Sequence, residues 1–279
     1  MSALIDLHLH TTYSDGHWAP RALFDQLMER DVAIAAVMDH DQLDHLPEVL
    51  ALGAERGIIV IPGTEVTARW RETAAHILCY APPATGFSGD ALRRVVERIR
   101  AAMLVNTTMI YRAIRQRGYD FPRQGEILAA QGGRPIRARD VARLLLESGH
   151  VATPAEAMAL VIEAGYRQAT APLAEVVEAA HASGALCLLA HPGRGEGEIH
   201  RFDPEEIEAI LRDVSLDGVE AHYPTHSDEQ VAAYTALARR HDLLISAGSD
   251  SHGPRQRLPI AYLPAYADAL LARLGLAAG

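Results

Sequence analysis

Two histidines separated by one residue, His8 and His10, lie in the first segment expected to form a β-strand. In a strand, residues i and i+2 point to the same face, so both imidazoles point the same way. Asp15 follows after a short loop. The same i, i+2 spacing returns late in the chain, where Asp250 and His252 follow another expected strand. Imidazole nitrogens and carboxylate oxygens gathered in this way are ligands for divalent transition metals.

Four further candidate ligands lie close to strand ends. His40, Glu65 and His191 each follow an expected strand, whereas His76 lies at the start of one. The complete set has six histidines and three carboxylates, and so many polar groups would be costly to desolvate without counter-ions. Nine ligands exceed what one ion takes. The set therefore predicts two or three metal ions, with Glu65 and Asp250 as candidate bridging carboxylates.

Alternating strand and helix signals at both ends of the chain position these residues. Strands are expected at Leu4–His10, Val32–Met38, Ile58–Ile61, Ala75–Tyr80, Ala185–Ala190, Gly218–Ala221 and Leu243–Ala247. Repeated βα units imply a mainly parallel sheet, either open or closed into a barrel. With about seven strands, the pattern favours an α/β fold closed into an irregular barrel, whose active site would lie at the carboxyl ends of the strands.

The middle of the chain has a different pattern. No strand is expected between Pro82 and Ala171, and helical patterns cover Asp90–Arg117, Arg139–Glu147 and Ala155–Ala164. Residues 90–149 contain 12 arginines against 6 acidic residues, a local charge of +6, so the remainder of the chain carries −16. We therefore expect a basic helical insertion domain, residues 81–179, within an acidic body of residues 1–80 and 180–279. This asymmetry favours an anionic ligand; a solvated Arg-rich helix is the alternative.

Composition excludes several classes of protein. All 26 basic residues are arginine, so Schiff-base, pyridoxal and Walker-A mechanisms, which need lysine, are excluded. The net charge of −10 argues against tight binding of extended nucleic acid. No apolar run approaches the roughly 20 residues of a membrane span, and no secretory signal is evident. Cys79 and Cys187 are expected as buried thiols of a cytoplasmic protein without a membrane partner.

The ordered set His8-x-His10, Asp15, His40, Glu65, His76, His191 and Asp250-x-His252 resembles that of the PHP (polymerase and histidinol phosphatase) family, within the amidohydrolase superfamily. The resemblance covers about residues 1–80 and 180–279. It implies a distorted (β/α)7 barrel with a trinuclear metal centre that hydrolyses phosphate esters. Manganese is the expected metal, and iron and zinc also fit the ligands.

The family pattern also implies how the ligands divide among the ions. One ion would take His8, His10, Glu65 and Asp250, and a second would take Asp15, His40, His191 and His252. A third would take Glu65, His76 and a shared ligand or water.

Over its whole length the chain resembles the branch that contains 3′,5′-nucleoside bisphosphate phosphatases. This resemblance implies a small nucleotide substrate, such as adenosine 3′,5′-bisphosphate, cleaved to a nucleoside 5′-monophosphate and phosphate without an obligatory protein partner. The alternatives are a 5′-to-3′ exoribonuclease acting on short RNA, a histidinol-phosphate-type phosphatase and a non-catalytic metal-binding module. Amide and ring hydrolases that use a carboxylated lysine are excluded, since the chain has no lysine.

One segment departs from the pattern of the branch. Relatives carry Arg-x-His-aliphatic-Ala-Arg in the insertion, whereas residues 137–143 here read Arg-Ala-Arg-Asp-Val-Ala-Arg, one residue longer and without the histidine. Residues that contact the substrate are therefore less well defined by the resemblance than the metal ligands are.

The expected mechanism is attack on phosphorus by a hydroxide that bridging metals generate near neutral pH. Asp15 and His222 are the candidate catalytic residues, and His222 would either donate a proton to the leaving group or contact the substrate. Glu220 shares the strand face of His222 by the i, i+2 rule, and either residue could instead support a metal-binding histidine. Arg134, Arg137 and Arg194 are the candidates for binding the second phosphate, because the guanidinium group pairs bidentately with phosphate oxygens.

Overall fold

The computed structural model describes residues 3–129, 132–194 and 200–276. The chain divides into two compact units. One unit, called the α/β unit below, comprises Met1–Val96 and Thr170–Gly279. The other, called the helical unit, comprises Glu97–Ala169.

The described residues form nine strands and ten α-helices. The strands are β1 (Leu4–Leu9), β2 (Val32–Val37), β3 (Ile59–Val60), β4 (Gly63–Trp70), β5 (Thr73–Tyr80), β6 (Ala171–Pro172), β7 (Leu186–Leu189), β8 (Gly218–His222) and β9 (Leu244–Ala247). The helices are α1 (Pro20–Glu29), α2 (Leu46–Arg56), α3 (Ala91–Gln116), α4 (Gln124–Ile127), α5 (Ala138–Glu147), α6 (Pro154–Glu163), α7 (Leu173–Ala182), α8 (Pro204–Asp213), α9 (Asp228–His241) and α10 (Asp268–Arg273).

The strands form two sheets, of order β1-β2-β3 and β6-β4-β5-β7-β8-β9. The first sheet is parallel, as are the pairs β7–β8 and β8–β9. Bridges between Leu9 and Ser251 and between His40 and Glu65 join the two sheets. The predicted α/β class is confirmed, whereas closure into a (β/α)7 barrel stays a prediction.

Most strand pairs are parallel, as predicted. The exception is β5, which pairs antiparallel with both β4 and β7. The sequence pattern did not predict β4, because the dipeptide Pro62-Gly63 is typical of a turn after a strand. Gly63 instead begins β4, where a Cβ atom would lie only 2.2 Å from the sulfur of Met38. Glu65 therefore lies inside a strand and not in a loop after one.

Apolar side chains of β1 and β2 are divided between two cores. Ile5, Leu7 and Met38 pack in one core, together with Leu78 and Leu188 of the second sheet. Leu9 and Val37 belong to a second core that includes apolar residues of α1 and α2. This packing fixes the ends of β1 and β2, from which several candidate ligands project.

The helical unit has its own apolar core. Ile110, Val141, Leu144 and Val161 are fully buried there, on α3, α5 and α6. Helices α3, α5 and α6 match the predicted ones to within about two residues at each end, whereas the short helix α4 was not predicted. The described part of this unit contains no strand. None of the described helices is long and apolar enough to cross a lipid bilayer.

The contact between β8 and β9 requires a glycine, which gives a first prediction. A Cβ atom at Gly218 would lie 2.3 Å from the carbonyl oxygen of Leu244, whereas one at Gly125 would meet nothing within 4 Å. We expect Gly218→Ala to lower the free energy of unfolding by about 1–3 kcal/mol, as overpacked sites do. Urea denaturation would measure this, with Gly125→Ala as the control. An unchanged stability of Gly218→Ala would contradict the close approach of the two strands.

Candidate metal centre

The carboxylate of Glu65 is the centre of the candidate site. It projects from β4 and is 1% exposed. Its Oε2 lies 3.1 Å from Nε2 of His8, 3.1 Å from Nε2 of His10 and 3.3 Å from Nε2 of His40. One oxygen atom therefore faces imidazoles from β1 and from the segment after β2.

The other oxygen of Glu65 faces two further imidazoles. Oε1 lies 2.9 Å from Nδ1 of His76 and 3.0 Å from Nε2 of His191. His76 reaches this rim because β5 runs antiparallel to its neighbours, so that its first half lies where the parallel strands end. The N–H of Ala190, directly before His191, donates to the carbonyl of His76 and holds the two segments together.

Asp250 follows β9 and faces the imidazoles on the other side. Its Oδ1 lies 3.2 Å from Nε2 of His10, 3.5 Å from Nε2 of His8 and 3.3 Å from Nδ1 of His252. Its Oδ2 accepts hydrogen bonds from the hydroxyl of Tyr223 at 2.9 Å and from Arg194 at 3.1 Å. These two donors fix the carboxylate so that Oδ1 stays turned toward the histidines.

Asp15 completes the cluster at its solvent side. Its Oδ2 lies 3.2 Å from Nε2 of His252 and 3.8 Å from Nε2 of His40, and its Oδ1 lies 3.6 Å from Nδ1 of His10. At 18% exposure it is the most accessible of the three carboxylates. The structure thus brings all nine predicted ligands together within the α/β unit.

The donor atoms form three overlapping groups, each with its atoms within 4.8 Å of one another. The groups are His8, His10, Glu65 and Asp250; His10, Asp15, His40 and His252; and His40, Glu65 and His76. The first group agrees with the family pattern. His191 does not lie with Asp15 as that pattern implied, because its Nε2 faces the same oxygen of Glu65 as His76 does.

The donor atoms of the first group fit a metal ion. Five of its six atom pairs are separated by 3.0–3.5 Å. A tetrahedron with such edges has its centre about 2 Å from each corner, the distance at which zinc binds nitrogen and oxygen. Buried atoms without a hydrogen-bond partner among the described residues include Nδ1 of His10 and Oδ1 of Asp250. Such atoms are costly in a fold unless a cation satisfies them.

The pKa shifts of Glu65 and His252 favour metal binding, whereas nearby carboxylates outweigh burial and raise the pKa of His8 and of His10. Burial would raise the pKa of Glu65, but the charges of His40, His8 and His76 outweigh it and hold that pKa well below the usual value. Burial and the nearby His10 lower the pKa of His252 to about 4. An ionised carboxylate and a neutral imidazole are the protonation states that bind metals.

A buried carboxylate behind the cluster orients two of the ligands. Glu220 on β8 accepts a hydrogen bond from Nδ1 of His8 at 3.0 Å and from the backbone N–H of His191 at 2.8 Å. With Nδ1 of His8 donating to Glu220, Nε2 keeps its lone pair for the cluster. Of the two roles considered for Glu220, support of a metal-binding histidine is the one that these contacts favour.

The i, i+2 rule failed between Glu220 and His222. The register of β8 against β9 shifts between these two residues, so their side chains have different surroundings. His222 stacks on the ring of Tyr266, with centroids 4.1 Å apart, and lines a cavity of about 630 Å³ with Thr235 and Arg239. Its predicted contact with the substrate stays a prediction.

The three candidate arginines occupy different places. Arg194 lies at the cluster, where its guanidinium pairs with Asp250. Arg134 is exposed and Arg137 is half-buried, both in the helical unit. Their role in binding phosphate stays a prediction.

Two buried aspartates, Asp39 and Asp41, flank His40 and were not predicted from the sequence as part of the site. Asp39 accepts hydrogen bonds from the backbone N–H and the hydroxyl of Thr11 at 2.9 and 2.5 Å, and also from Ser14, fixing the loop that leads to Asp15. Asp41 accepts from the N–H and the hydroxyl of Thr67, both at 2.7 Å, fixing β4. The sequence Asp-His-Asp around His40 is the pattern that could have indicated them. Both carboxylates accept hydrogen bonds that hold neighbouring segments in position.

The fold and the donor set together define a metal-dependent hydrolase. The model of the PHP domain family matches residues 6–184, and the chain belongs to that family. It is a metal-dependent phosphoesterase of the PHP type.

The chain is similar to several characterised or solved proteins. It is 28% identical over 263 residues to a 5′-3′ exoribonuclease of Salmonella typhimurium, covering 91% of this chain and 86% of that protein. It is 28% identical over 260 residues to a 3′,5′-nucleoside bisphosphate phosphatase of Chromobacterium violaceum, covering 90% and 88%. A structure from Bifidobacterium adolescentis, named as a metal-dependent phosphoesterase, superposes with a TM-score of 0.77 at 26% identity, covering 99% of this chain and 96% of that one.

The central position of Glu65 predicts the effect of replacing it. Glu65→Gln keeps the shape but removes the charge that faces five imidazoles, so we expect it to bind fewer metal ions per chain than the wild type. Elemental analysis after dialysis against Mn²⁺ would count the ions. Glu72→Gln, at a carboxylate that is 99% exposed, is the control and should leave the count unchanged. Equal metal content in both variants would contradict a bridging role for Glu65.

Glu220 should affect metal affinity without being a ligand. We expect Glu220→Gln to weaken metal binding by about 10- to 100-fold, as is usual when the hydrogen-bond partner of a metal-binding histidine is changed. Competition with a chromophoric chelator would measure the affinity. Glu208→Gln removes a carboxylate that also pairs with a histidine, His241, but on the surface, and should leave the affinity unchanged. A wild-type affinity for Glu220→Gln would contradict its orienting role.

Proposed function

We propose that the protein hydrolyses the 3′-phosphate of nucleoside 3′,5′-bisphosphates, yielding a nucleoside 5′-monophosphate and phosphate. The observation that carries the proposal is the cluster of nine ligands, in which Glu65 connects donor groups that fit more than one divalent ion. The similarity to a 3′,5′-nucleoside bisphosphate phosphatase over most of both chains supports the choice of substrate. Manganese is the metal with which we would load the protein.

Divalent ions held by these residues would activate a water molecule and neutralise negative charge on the phosphoryl oxygens. The exposed fractions of the ligand side chains indicate the side from which the substrate approaches. His40, His76, His252 and Asp15 are 15–18% exposed, whereas the side chains of His8 and His10 are completely buried. The phosphate to be cleaved therefore approaches from the side of Asp15.

Two of this chain's residues have roles in proton transfer and in substrate binding. Asp15, on the accessible side, would take a proton from the attacking water and return it to the leaving 3′-oxygen. Arg194 is 21% exposed and lies 3.1 Å from Asp250. A guanidinium group pairs well with phosphate oxygens, so Arg194 is the residue that we propose for binding the 5′-phosphate.

A 5′-to-3′ exoribonuclease is the second candidate, favoured by the similarity to the exoribonuclease of Salmonella typhimurium. The two reactions break the same bond, between phosphorus and the 3′-oxygen of a nucleotide that carries a 5′-phosphate. They differ in whether the phosphorus also carries a further nucleotide. The 12 arginines in residues 90–149 are consistent with a short RNA, whereas the net charge of −10 opposes binding of a long one.

The test is a comparison of substrates with the manganese-loaded protein. We expect adenosine 3′,5′-bisphosphate to be converted to AMP with a higher kcat/KM than adenosine 3′-monophosphate, histidinol phosphate or a short 5′-phosphorylated RNA. His8→Ala should lower the activity by about 100-fold or more, since it removes a ligand and not merely a partner of one. His241→Ala, at a surface histidine, is the matched control.

Three outcomes would change the assignment. Release of mononucleotides from RNA at a comparable kcat/KM would favour the exoribonuclease. Equal turnover of adenosine 3′-monophosphate would contradict recognition of the 5′-phosphate by Arg194. Failure to cleave any of these substrates with Mn²⁺, Fe²⁺ or Zn²⁺ would refute a nucleotide substrate.

A further inference from the structure

The two cysteines of the chain lie directly opposite each other on neighbouring strands. Cys79 of β5 is paired with Cys187 of β7 in the antiparallel ladder. In the same ladder the N–H of Ala190 donates to the carbonyl of His76, which makes those two residues a hydrogen-bonded pair. Hydrogen-bonded and non-hydrogen-bonded pairs alternate along the ladder. Three positions further along, Cys79 and Cys187 therefore form a non-hydrogen-bonded pair.

This position suits a cross-strand disulfide. In non-hydrogen-bonded pairs the Cα atoms are about 4.5 Å apart and the side chains are at their closest. Disulfides connect Cα atoms roughly 4.4–6.8 Å apart. The pair can therefore be joined without a large movement of either strand.

A histidine and an aspartate lie beside one of the two thiols. His181, Cys187 and Asp217 bring a ring nitrogen, the sulfur and a carboxylate oxygen within 4.8 Å of one another. Nε2 of His181 lies 2.7 Å from Oδ2 of Asp217, which orients the ring. The side chain of His181 is 37% exposed, whereas both cysteines are completely buried. A partly exposed imidazole therefore lies near a buried thiol.

A base is needed here because the thiol resists ionisation. The hydrogen bond with Cys79, followed by burial, raises the pKa of the Cys187 thiol well above its ordinary value. A thiol rather than a thiolate is therefore present at neutral pH, and thiols are poor nucleophiles. The neighbouring imidazole can accept the proton as the sulfur reacts, as in other cysteine–histidine pairs.

We propose that Cys79 and Cys187 form a redox-active dithiol that hydrogen peroxide oxidises to an intramolecular disulfide. The sulfur of Cys187 attacks one peroxide oxygen while the thiol proton passes to His181. The O–O bond breaks, and the leaving hydroxide takes the proton from His181, which gives water and a sulfenic acid on Cys187. The sulfur of Cys79 then attacks the sulfenic sulfur, and the hydroxyl leaves as a second water with the proton of Cys79. The two thiols lose two electrons and the peroxide gains them. This inference does not depend on the proposed function.

The disulfide would connect the two ends of a long segment of the chain. The whole helical unit, Glu97–Ala169, lies between the two cysteines in sequence. The link would close this long segment into a loop, which stabilises a fold by restricting the unfolded chain. It would also join the strand that carries His76 to the strand that leads to His191, the two ligands that share Oε1 of Glu65.

The test is oxidation of the zinc-loaded protein, because zinc has no redox chemistry that would damage the ligands. After treatment with hydrogen peroxide, the protein is unfolded, alkylated and weighed as an intact chain. We expect the loss of two hydrogens and of both alkylatable thiols. A peptide map without reductant should contain Cys79 joined to Cys187, and thermal unfolding should shift to a higher temperature.

Single substitutions distinguish the oxidation of Cys187 from the later attack by Cys79. Cys79→Ala should stop at a sulfenic acid on Cys187 that dimedone traps, whereas Cys187→Ala should leave Cys79 as a thiol. His181→Ala should slow the oxidation by about 100-fold, the usual contribution of a general base. His241→Ala is the matched control, since it has a similar exposure and also pairs with a carboxylate, Glu208.

The proposal would be overturned by either of two results. One is that the folded protein keeps both thiols under conditions in which the unfolded protein oxidises. The other is that the folded protein yields only overoxidised Cys187 or a disulfide between chains.

Discussion

The structure depends on one interaction, the contact of the Glu65 carboxylate with five imidazoles. Both of its oxygens are used, with His8, His10 and His40 on one side and His76 and His191 on the other. A negative charge in a buried site costs several kcal/mol unless positive charge compensates it. The imidazoles alone compensate only when protonated, whereas divalent ions do so with neutral ligands. The fold has therefore placed a buried charge where cations can satisfy it.

The rest of the α/β unit can be understood as support for this contact. Glu220 orients His8 from behind, and Asp39 and Asp41 fix the segments on either side of His40. Each of these carboxylates accepts at least two hydrogen bonds from groups that are fixed in the fold. The ligands are thus held before any ion arrives, which lowers the entropic cost of assembling a site.

Much of this site followed from the sequence, since ligands at the ends of parallel strands converge by geometry. His8 and His10 lie on one face, as an i, i+2 pair in a strand must. His76 was an exception only because β5 was expected to be parallel; its antiparallel course brings the start of the strand to the same rim. The pairing partner of a strand is a non-local property, so that the sequence pattern of one strand does not determine it.

The non-local nature of strand pairing also explains the other differences between the sequence-based predictions and the structure. The shift of register in β8 turns His222 away from the surroundings of Glu220, and no local signal in Glu-Ala-His marks it. Cys79 and Cys187 are more than a hundred residues apart in the sequence, and only the register of β5 with β7 places them opposite each other. The predicted assignment of His191 to the group of Asp15 also differed from the structure, because it depends on distances that the sequence does not contain. His191 lies with His76, since both face one oxygen of Glu65.

The order of the ligands along the chain has a consequence for synthesis of the protein. Glu65 and His76 lie on one β-hairpin, so this part of the site can form from local contacts soon after it leaves the ribosome. His8 and His10, by contrast, need Asp250, which is translated more than two hundred residues later. The first donor group is therefore incomplete on a nascent chain, and a ribosome that stalls before residue 250 holds a protein without a full metal centre.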